Sequence, residues 1–171
     1  MTALIHSIWL LAEPADDASL TCLVRELSDR FGTPFFAPHL TLRGDTEQPL
    51  AELESAIVEA ARQVEPFSEP VACVEGSEAF FRSFYARFAI CQALATLKRA
   101  LDPEGLSSFM PHVSLLYGPI EAAAKARAIG EIDKRLAGCP IRFDRIGVVT
   151  SGQDVPIADW RVVSSVRLAG G

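Results

Sequence analysis

The chain alternates two kinds of hydrophobic pattern, which predict helices and strands in turn. Apolar residues recur at helical spacing from Leu20 to Phe31, so residues 18–31 are predicted to form a helix. Similar spacing predicts three further helices, at residues 46–64, 92–101 and 121–136. Short apolar runs rich in β-branched and aromatic residues predict seven strands, at residues 4–12, 35–43, 67–75, 80–90, 110–117, 141–150 and 160–168.

The order of these elements, β-α-β-α-β-β-α-β-α-β-β, limits the fold class. Strands and helices do not alternate throughout, so a doubly wound parallel sheet fits poorly and an α+β fold with antiparallel sheets fits better. A length of 171 residues is that of one domain, and no stretch rich in proline, glycine or serine divides it. We therefore expect one domain over residues 1–171.

The charge balance restricts the class of partner. The chain has 22 acidic and 16 basic residues, for a net charge of −6. Long nucleic acids are bound through clustered Lys and Arg, so such a partner is not expected. A small anionic substrate remains compatible, because a pocket can be locally positive on an acidic protein. We expect a monomer that acts on a small molecule.

The four cysteines indicate neither a metal site nor a disulfide framework. Cys22, Cys73, Cys91 and Cys139 lie in no CxxC or zinc-ligand spacing. The first residues lack the basic region of a signal peptide, and the apolar run at 4–12 is too short to cross a bilayer. We expect a cytoplasmic protein with free, mostly buried thiols, no membrane segment, no bound metal and no cofactor.

Two short segments in opposite halves of the chain repeat each other. The first is Pro38-His39-Leu40-Thr41-Leu42 and the second is Pro111-His112-Val113-Ser114-Leu115. The chain has three histidines, and two of them stand in this shared context. The third, His6, has no preceding proline and no hydroxyl residue two positions on, so we interpret it as structural. The repeat predicts a two-lobed, pseudo-symmetric molecule with one motif in each lobe.

The spacing within each motif places chemically matched groups on one face. Residues i and i+2 of a strand point the same way, so His39 lies beside Thr41 and His112 beside Ser114. If the two strands face one cleft, two imidazoles and two hydroxyls converge. One neutral imidazole can accept a proton from water and one imidazolium can donate a proton to a leaving oxygen. The hydroxyls can bind phosphate oxygens. This set predicts phosphodiester chemistry that needs no metal.

The paired H-x-T and H-x-S motifs resemble the signature of the 2H phosphoesterase superfamily. Within it, the chain is most similar to the cyclic phosphodiesterase-like family, and the similarity covers nearly the whole sequence. The segments that carry it are Ser7-Ile8-Trp9-Leu10, Phe35-Phe36-Ala37-Pro38-His39, Phe80-Phe81-Arg82-Ser83-Phe84-Tyr85, Met110-Pro111-His112-Val113-Ser114-Leu115-Leu116-Tyr117 and Trp160.

The resemblance implies two antiparallel sheets that face a water-filled groove, with helices on the outside. It implies hydrolysis of nucleoside 2′,3′-cyclic phosphates, or of ADP-ribose 1″,2″-cyclic phosphate, without a metal. It also implies a general base at His112, a general acid at His39 and an accessory phosphate or water ligand at Tyr117.

Three further residues are candidates for substrate binding. Trp9 and Phe84 could stack on a nucleobase, although core packing explains either residue equally well. Arg43 stands two residues beyond Thr41 and could help to neutralise phosphate. A solvated arginine at the end of a strand is the alternative.

Three other functions remain open from the sequence. The first is a phosphodiesterase acting on the 2′,3′-cyclic end of RNA, which the acidic charge disfavours. The second is a nucleotide-binding module without catalytic activity. The third is a metal-dependent hydrolase with the two histidines as ligands, for which Asp45 is the nearest carboxylate.

Overall fold

The computed structural model describes residues 4–152 and 154–169. In these residues the order of strands and helices is the predicted one. The strands are β1 (His6–Ala12), β2 (Leu40–Thr46), β3 (Phe67–Gly76), β4 (Phe84–Phe88), β5 (His112–Leu116), β6 (Pro140–Thr150) and β7 (Arg161–Arg167). The α-helices are α1 (Pro14–Phe31), α2 (Leu50–Ala61), α3 (Gln92–Leu101) and α4 (Ala122–Leu136).

The predicted boundaries differ from the observed ones where proline or a short turn intervenes. Helix α1 begins at Pro14 rather than at residue 18, because proline is well suited to the first helical position. Strand β2 runs to Thr46, and α2 begins only after Pro49. Residues Phe80–Arg82, predicted as strand, form a 3₁₀ turn, and β4 begins at Phe84.

The strands form one antiparallel sheet that closes on itself, rather than the two separate sheets that were expected. Neighbours follow the order β1-β2-β5-β4-β3-β6, and β6 also pairs with β1, which completes a ring of six strands. Strand β7 pairs with Arg145–Thr150 of β6, beyond the segment of β6 that pairs with β3. The α+β class is confirmed, whereas pseudo-symmetry of two whole lobes stays a prediction.

The hydrophobic core lies between the sheet and the helices. Alternate positions of each strand are buried against it, such as Leu40 and Leu42 in β2 and Val113 and Leu115 in β5. Helices α1 and α4 pack on β5 and β3, while α2 and α3 pack on β6 and β2. The residues between these core positions therefore face the other side of the sheet.

The cysteines are more exposed than the sequence predicts. All four cysteines are free, but Cys22 and Cys139 are exposed, so the expectation of mostly buried thiols was wrong. Helix amphipathicity explains the exposure of Cys22, which lies on a face of α1 turned away from the core, and Cys139 lies in the short connection after α4. None of the helices in the described residues has the length and hydropathy that a bilayer crossing requires.

Candidate active site

The two histidine motifs lie at the starts of two neighbouring strands, which pair with each other at the middle residue of each motif. Strands β2 and β5 are antiparallel, and Leu40 pairs with Val113. This register places His39 across from Ser114 and Thr41 across from His112. Leu40 and Val113 point into the core, so the four polar side chains share the opposite face of the sheet. The repeated motifs therefore place a histidine opposite a hydroxyl residue on each side of the Leu40–Val113 pair.

Each imidazole is held by the same backbone hydrogen bond. Nδ1 of His39 lies 2.8 Å from the carbonyl oxygen of Ala37, and Nδ1 of His112 lies 2.8 Å from that of Met110. A carbonyl oxygen only accepts, so Nδ1 carries the proton and Nε2 is the free nitrogen of the neutral ring. The intervening proline has a fixed φ, which restricts the direction of that carbonyl. This contact gives the proline of each motif a physical role.

A cavity of about 390 Å³ brings most of the predicted site residues together. Both histidines, Thr41 and Ser114 line it. Trp9 and Tyr117 line it as well. A volume of this order is within the range of small-molecule sites.

His39 is the more deeply buried of the two imidazoles. Its ring stacks on Trp9, with ring centroids 3.4 Å apart and planes inclined by 5°. The ring of Trp160 meets it edge-on, at 6.4 Å between centroids. Burial lowers the pKa of His39 from 6.5 to about 4, and the charge of His112 acts in the same direction. His39 is therefore neutral in the empty site at neutral pH.

His112 lies in a more polar environment. The ring of Tyr85 meets it edge-on at 5.2 Å between centroids, and Tyr85 Oη donates a hydrogen bond to Glu75. Burial lowers the pKa of His112, and the nearby guanidinium of Arg82 acts in the same direction. Both imidazoles thus have pKa values below the ordinary value for histidine.

The two motif hydroxyls are not equivalent. Within the described residues, Thr41 Oγ1 has no hydrogen-bond partner in the protein, and its residue is half-buried at the cavity. Ser114 is buried, and its Oγ donates a hydrogen bond of 3.0 Å to the carbonyl oxygen of Phe81. Tyr117 stacks on Phe36 at 3.7 Å, and burial raises the pKa of its phenol.

Three residues predicted to contact the substrate are held by contacts within the protein. Phe84 is fully buried in the core, on the side of the sheet opposite the cavity. Arg43 donates a hydrogen bond to the carbonyl oxygen of Leu101 instead of facing the cavity. The pairing of β1 with β2 shifts by one residue between Thr41 and Arg43, so simple alternation does not hold there. Trp9 is 4% exposed and its face is covered by His39, which leaves no open platform for a base.

The cavity also contains residues that the sequence did not single out as functional. Arg82 and Phe81 reach it from the turn before β4, and Trp160 from the segment before β7. Ser7 and Ser151 line it as a buried pair, with oxygen atoms 2.6 Å apart. The aromatic segment at 80–85 could have indicated these residues. Because it was predicted to be a strand, the sequence did not indicate that Arg82 lies at the cavity.

The donor set of the site does not resemble a metal centre. Asp45 lies at the cavity wall. Over the described ranges, however, no three His, Cys, Asp or Glu side chains converge closely enough to hold an ion. The geometry is therefore that of two imidazoles with hydroxyl neighbours.

The fold is shared with solved phosphoesterase structures. LigT of E. coli is 13% identical, covers 95% of this chain and 96% of its own, and superposes with a TM-score of 0.57. TT0787 of Thermus thermophilus is 18% identical over 97% of this chain and 98% of its own, with a TM-score of 0.61. A structure described as a phosphoesterase is 14% identical over 96% and 98%, with a TM-score of 0.57.

These likenesses establish the class of fold. LigT, the phosphoesterase and TT0787 are members of the 2H phosphoesterase superfamily, so the predicted resemblance is confirmed for the fold. No protein-family model matches the chain. No curated protein matches it either.

Proposed function

We propose that this chain is a metal-independent hydrolase that opens cyclic phosphates. The substrates are nucleoside 2′,3′-cyclic phosphates or ADP-ribose 1″,2″-cyclic phosphate. The observation that carries the proposal is the matched imidazole pair. Each ring is fixed through Nδ1 to a backbone carbonyl, and both line one cavity across a single strand pair.

The chemistry follows from the pair acting on opposite sides of one phosphorus. His112 accepts a proton from water as the water oxygen forms a bond to phosphorus. His39 donates a proton to the sugar oxygen as its bond to phosphorus breaks. The products are a phosphate monoester and a free hydroxyl, and the proton balance closes when the two imidazoles exchange their proton with solvent. The negative charge of the bound phosphate raises the low pKa of His39, so substrate and proton bind together.

The other lining residues have distinct parts in this scheme. Thr41 Oγ1 is free to donate to a non-bridging phosphate oxygen. Tyr117, with a raised pKa, remains a phenol and is a neutral hydrogen-bond donor. The nucleobase occupies the wall formed by Phe81 and Trp160, whose rings are 6.0 Å apart and inclined by 29°. These two rings replace Trp9 and Phe84 as the aromatic contact.

The solved neighbours support a phosphate-bearing ligand. LigT, which has the same fold, has been determined in complex with phosphate and in complex with 3′-AMP. A cavity of about 390 Å³ in this chain is large enough for a ligand of that size. The net charge of −6 favours a mononucleotide over the cyclic-ended RNA chain.

Turnover of a substrate panel tests the proposal. We expect wild-type protein to hydrolyse adenosine 2′,3′-cyclic phosphate in the presence of EDTA, with the product isomer identified by ³¹P NMR. An absence of turnover on every cyclic phosphate, with tight nucleotide binding retained, would indicate the binding module instead. Activity that EDTA abolishes and a divalent cation restores would indicate the metal-dependent hydrolase.

A sulfur-substituted leaving group tests the two histidine roles separately. A thiolate leaves without protonation, so a substrate with sulfur at the leaving position does not need the general acid. We expect this substrate to restore most of the rate lost in His39→Ala and little of that lost in His112→Ala. The reverse pattern would exchange the two roles.

A further inference from the structure

Arg82 is a positively charged side chain at a site otherwise built from neutral groups and one aspartate. Among the described residues that line the cavity, it is the single Lys or Arg. Its side chain is exposed, and the described part of the chain offers it no carboxylate or carbonyl acceptor. Other arginines of this acidic protein are paired, for example Arg87 with Glu75 and Arg135 with Glu26. An exposed guanidinium at a cavity wall is available to an anionic ligand.

The turn that carries Arg82 is fixed from three directions. Ser114 Oγ donates to the carbonyl oxygen of Phe81, at 3.0 Å. The backbone N–H of Gly118 donates to the carbonyl oxygen of Phe80, also at 3.0 Å. Ser77 Oγ donates to the carbonyl oxygen of Arg82 itself, at 2.6 Å. A short 3₁₀ turn is not stable alone, so these contacts determine the backbone position from which the Arg82 side chain extends.

Ser114 connects this turn to the catalytic motif. It lies two residues after His112 and across the strand pair from His39, yet its hydroxyl proton is directed to Phe81. The hydroxyl residue two positions after the histidine therefore has a different role in each of the two motifs. Thr41 Oγ1 stays available to a ligand, whereas Ser114 holds the backbone that precedes Arg82.

We propose that Arg82 binds the phosphate oxygens of the ligand, and that Ser114 is a positioning residue that acts through the Phe80–Arg82 turn. The class of ligand is a phosphate mono- or diester anion, and its identity as a cyclic phosphate rests on the proposed function. A guanidinium offers two parallel N–H donors to such an anion. Arg82 also lowers the pKa of His112, which requires it to lie near that ring.

Binding of inorganic phosphate tests Arg82 without any need for turnover. Isothermal titration at low ionic strength should show Arg82→Gln binding phosphate about 10–100-fold more weakly than wild type. Arg99→Gln, which removes an exposed arginine of α3 away from the cavity, is the matched control and should bind as wild type does. Arg82→Lys should recover part of the affinity. Equal affinity of Arg82→Gln and wild type, or no phosphate binding by wild type, overturns the proposal.

A double-mutant cycle tests the positioning role of Ser114. If Ser114 acts through the turn, Ser114→Ala weakens phosphate binding in wild type but has little further effect in an Arg82→Gln background. If Ser114 donates directly to phosphate, the two losses add, and the positioning role is wrong. NMR titration gives a second readout, because Arg82→Gln should raise the pKa of His112 while Arg99→Gln leaves it unchanged.

The two proposals fail in different ways. If phosphate affinity depends on Arg82 but no cyclic phosphate is turned over, the proposed anion site is supported and the proposed hydrolase activity is contradicted. If a cyclic phosphate is turned over, and Arg82→Gln leaves phosphate affinity and kcat/KM unchanged, the hydrolase activity is supported and the anion site is contradicted.

Discussion

At the scale of single residues, His39 combines a buried ring with a proposed task, general-acid catalysis, that requires a proton. Stacking on Trp9 and burial beside Trp160 lower its pKa to about 4. The charged form is therefore disfavoured until an anion arrives. Under the proposed function, protonation of His39 is therefore coupled to substrate binding, and the empty site does not carry two positively charged rings.

The pH dependence of kcat/KM should reflect these low pKa values. kcat/KM reports the free enzyme, in which the active form has one protonated and one neutral imidazole. His39 becomes charged only below about pH 4, and above the ordinary value of 6.5 both rings are neutral because both pKa values are lowered. We expect a bell with its optimum below pH 6.5 and a fall toward pH 8. In kcat, which reports the complex, the descending limb should lie at higher pH because bound phosphate raises the pKa of His39.

Steady-state kinetics between about pH 4.5 and 8.5 provide the check. Far-UV circular dichroism at each pH is the control, because a protein loses stability as the pH falls when the pKa of a histidine is lower in the folded state than in the unfolded state. An optimum above pH 7 in kcat/KM, or no pH dependence between pH 5 and 8, would contradict this account.

The sequence predicts the position of a residue when that position depends on neighbours in the chain, and not when it depends on contacts with distant segments. The shared faces of His39 with Thr41 and of His112 with Ser114, which line one cavity, could be predicted because the i, i+2 spacing of a strand is a property of the sequence itself. Arg82 was missed because its direction depends on a 3₁₀ turn that hydrogen bonds from distant segments hold in place. The face that Ser114 occupies was predictable, but the acceptor of its hydroxyl was not.

At the scale of elements, helix α3 supports the strand that carries Thr41. Lys98 of α3 is 7% exposed, and its Nζ donates to the carbonyl oxygen of Leu42 at 2.8 Å. The same ammonium pairs with Asp102 at 2.7 Å. This contact satisfies a β2 carbonyl next to the one-residue shift of register. A buried lysine is therefore part of the scaffold of the site rather than of its chemistry.

Replacing this lysine should affect stability. Lys98→Met keeps most of the buried side-chain volume but leaves the Leu42 carbonyl and Asp102 without their donor. We expect the free energy of unfolding to fall by roughly 1–3 kcal/mol. Urea denaturation followed by circular dichroism measures it, and Lys134→Met on the exposed end of α4 is the control. A variant of unchanged stability would show that the Lys98 contacts make no net contribution.

Element order was predictable from periodicity, whereas the pairing of the elements was not. The period of the apolar residues separates strands from helices in every case. Whether seven strands form two sheets or one closed ring depends on contacts such as β6 with β1, which join residues far apart in sequence. Boundaries failed at Pro14 and Pro49, where proline rather than hydrophobicity determines the start of a helix.

At the scale of the whole molecule, charge should limit the length of the substrate. The net charge is −6, and Arg82 is the single basic side chain among the described residues at the cavity wall. A longer RNA brings further phosphates to a protein of negative net charge, which disfavours its binding. We therefore expect a substrate with one phosphate rather than a chain of them.

Comparison of two substrates tests this limit. At low ionic strength, kcat/KM should be higher for adenosine 2′,3′-cyclic phosphate than for a short RNA oligonucleotide with the same cyclic end. Added salt should narrow the difference by screening the repulsion. A clear preference for the oligonucleotide that salt abolishes would instead indicate a basic RNA path and the RNA-end phosphodiesterase.

The joint action of the two imidazoles is tested most directly by the kinetics of three variants. We measure kcat/KM on adenosine 2′,3′-cyclic phosphate for His39→Ala, His112→Ala and the double variant, with thermal unfolding as the control for folding. Each single variant should lose on the order of 10²–10⁴-fold, and the double variant should lose far less than the product of the two. A folded single variant within about tenfold of wild type, or losses that multiply fully, would contradict a pair that works on one phosphorus.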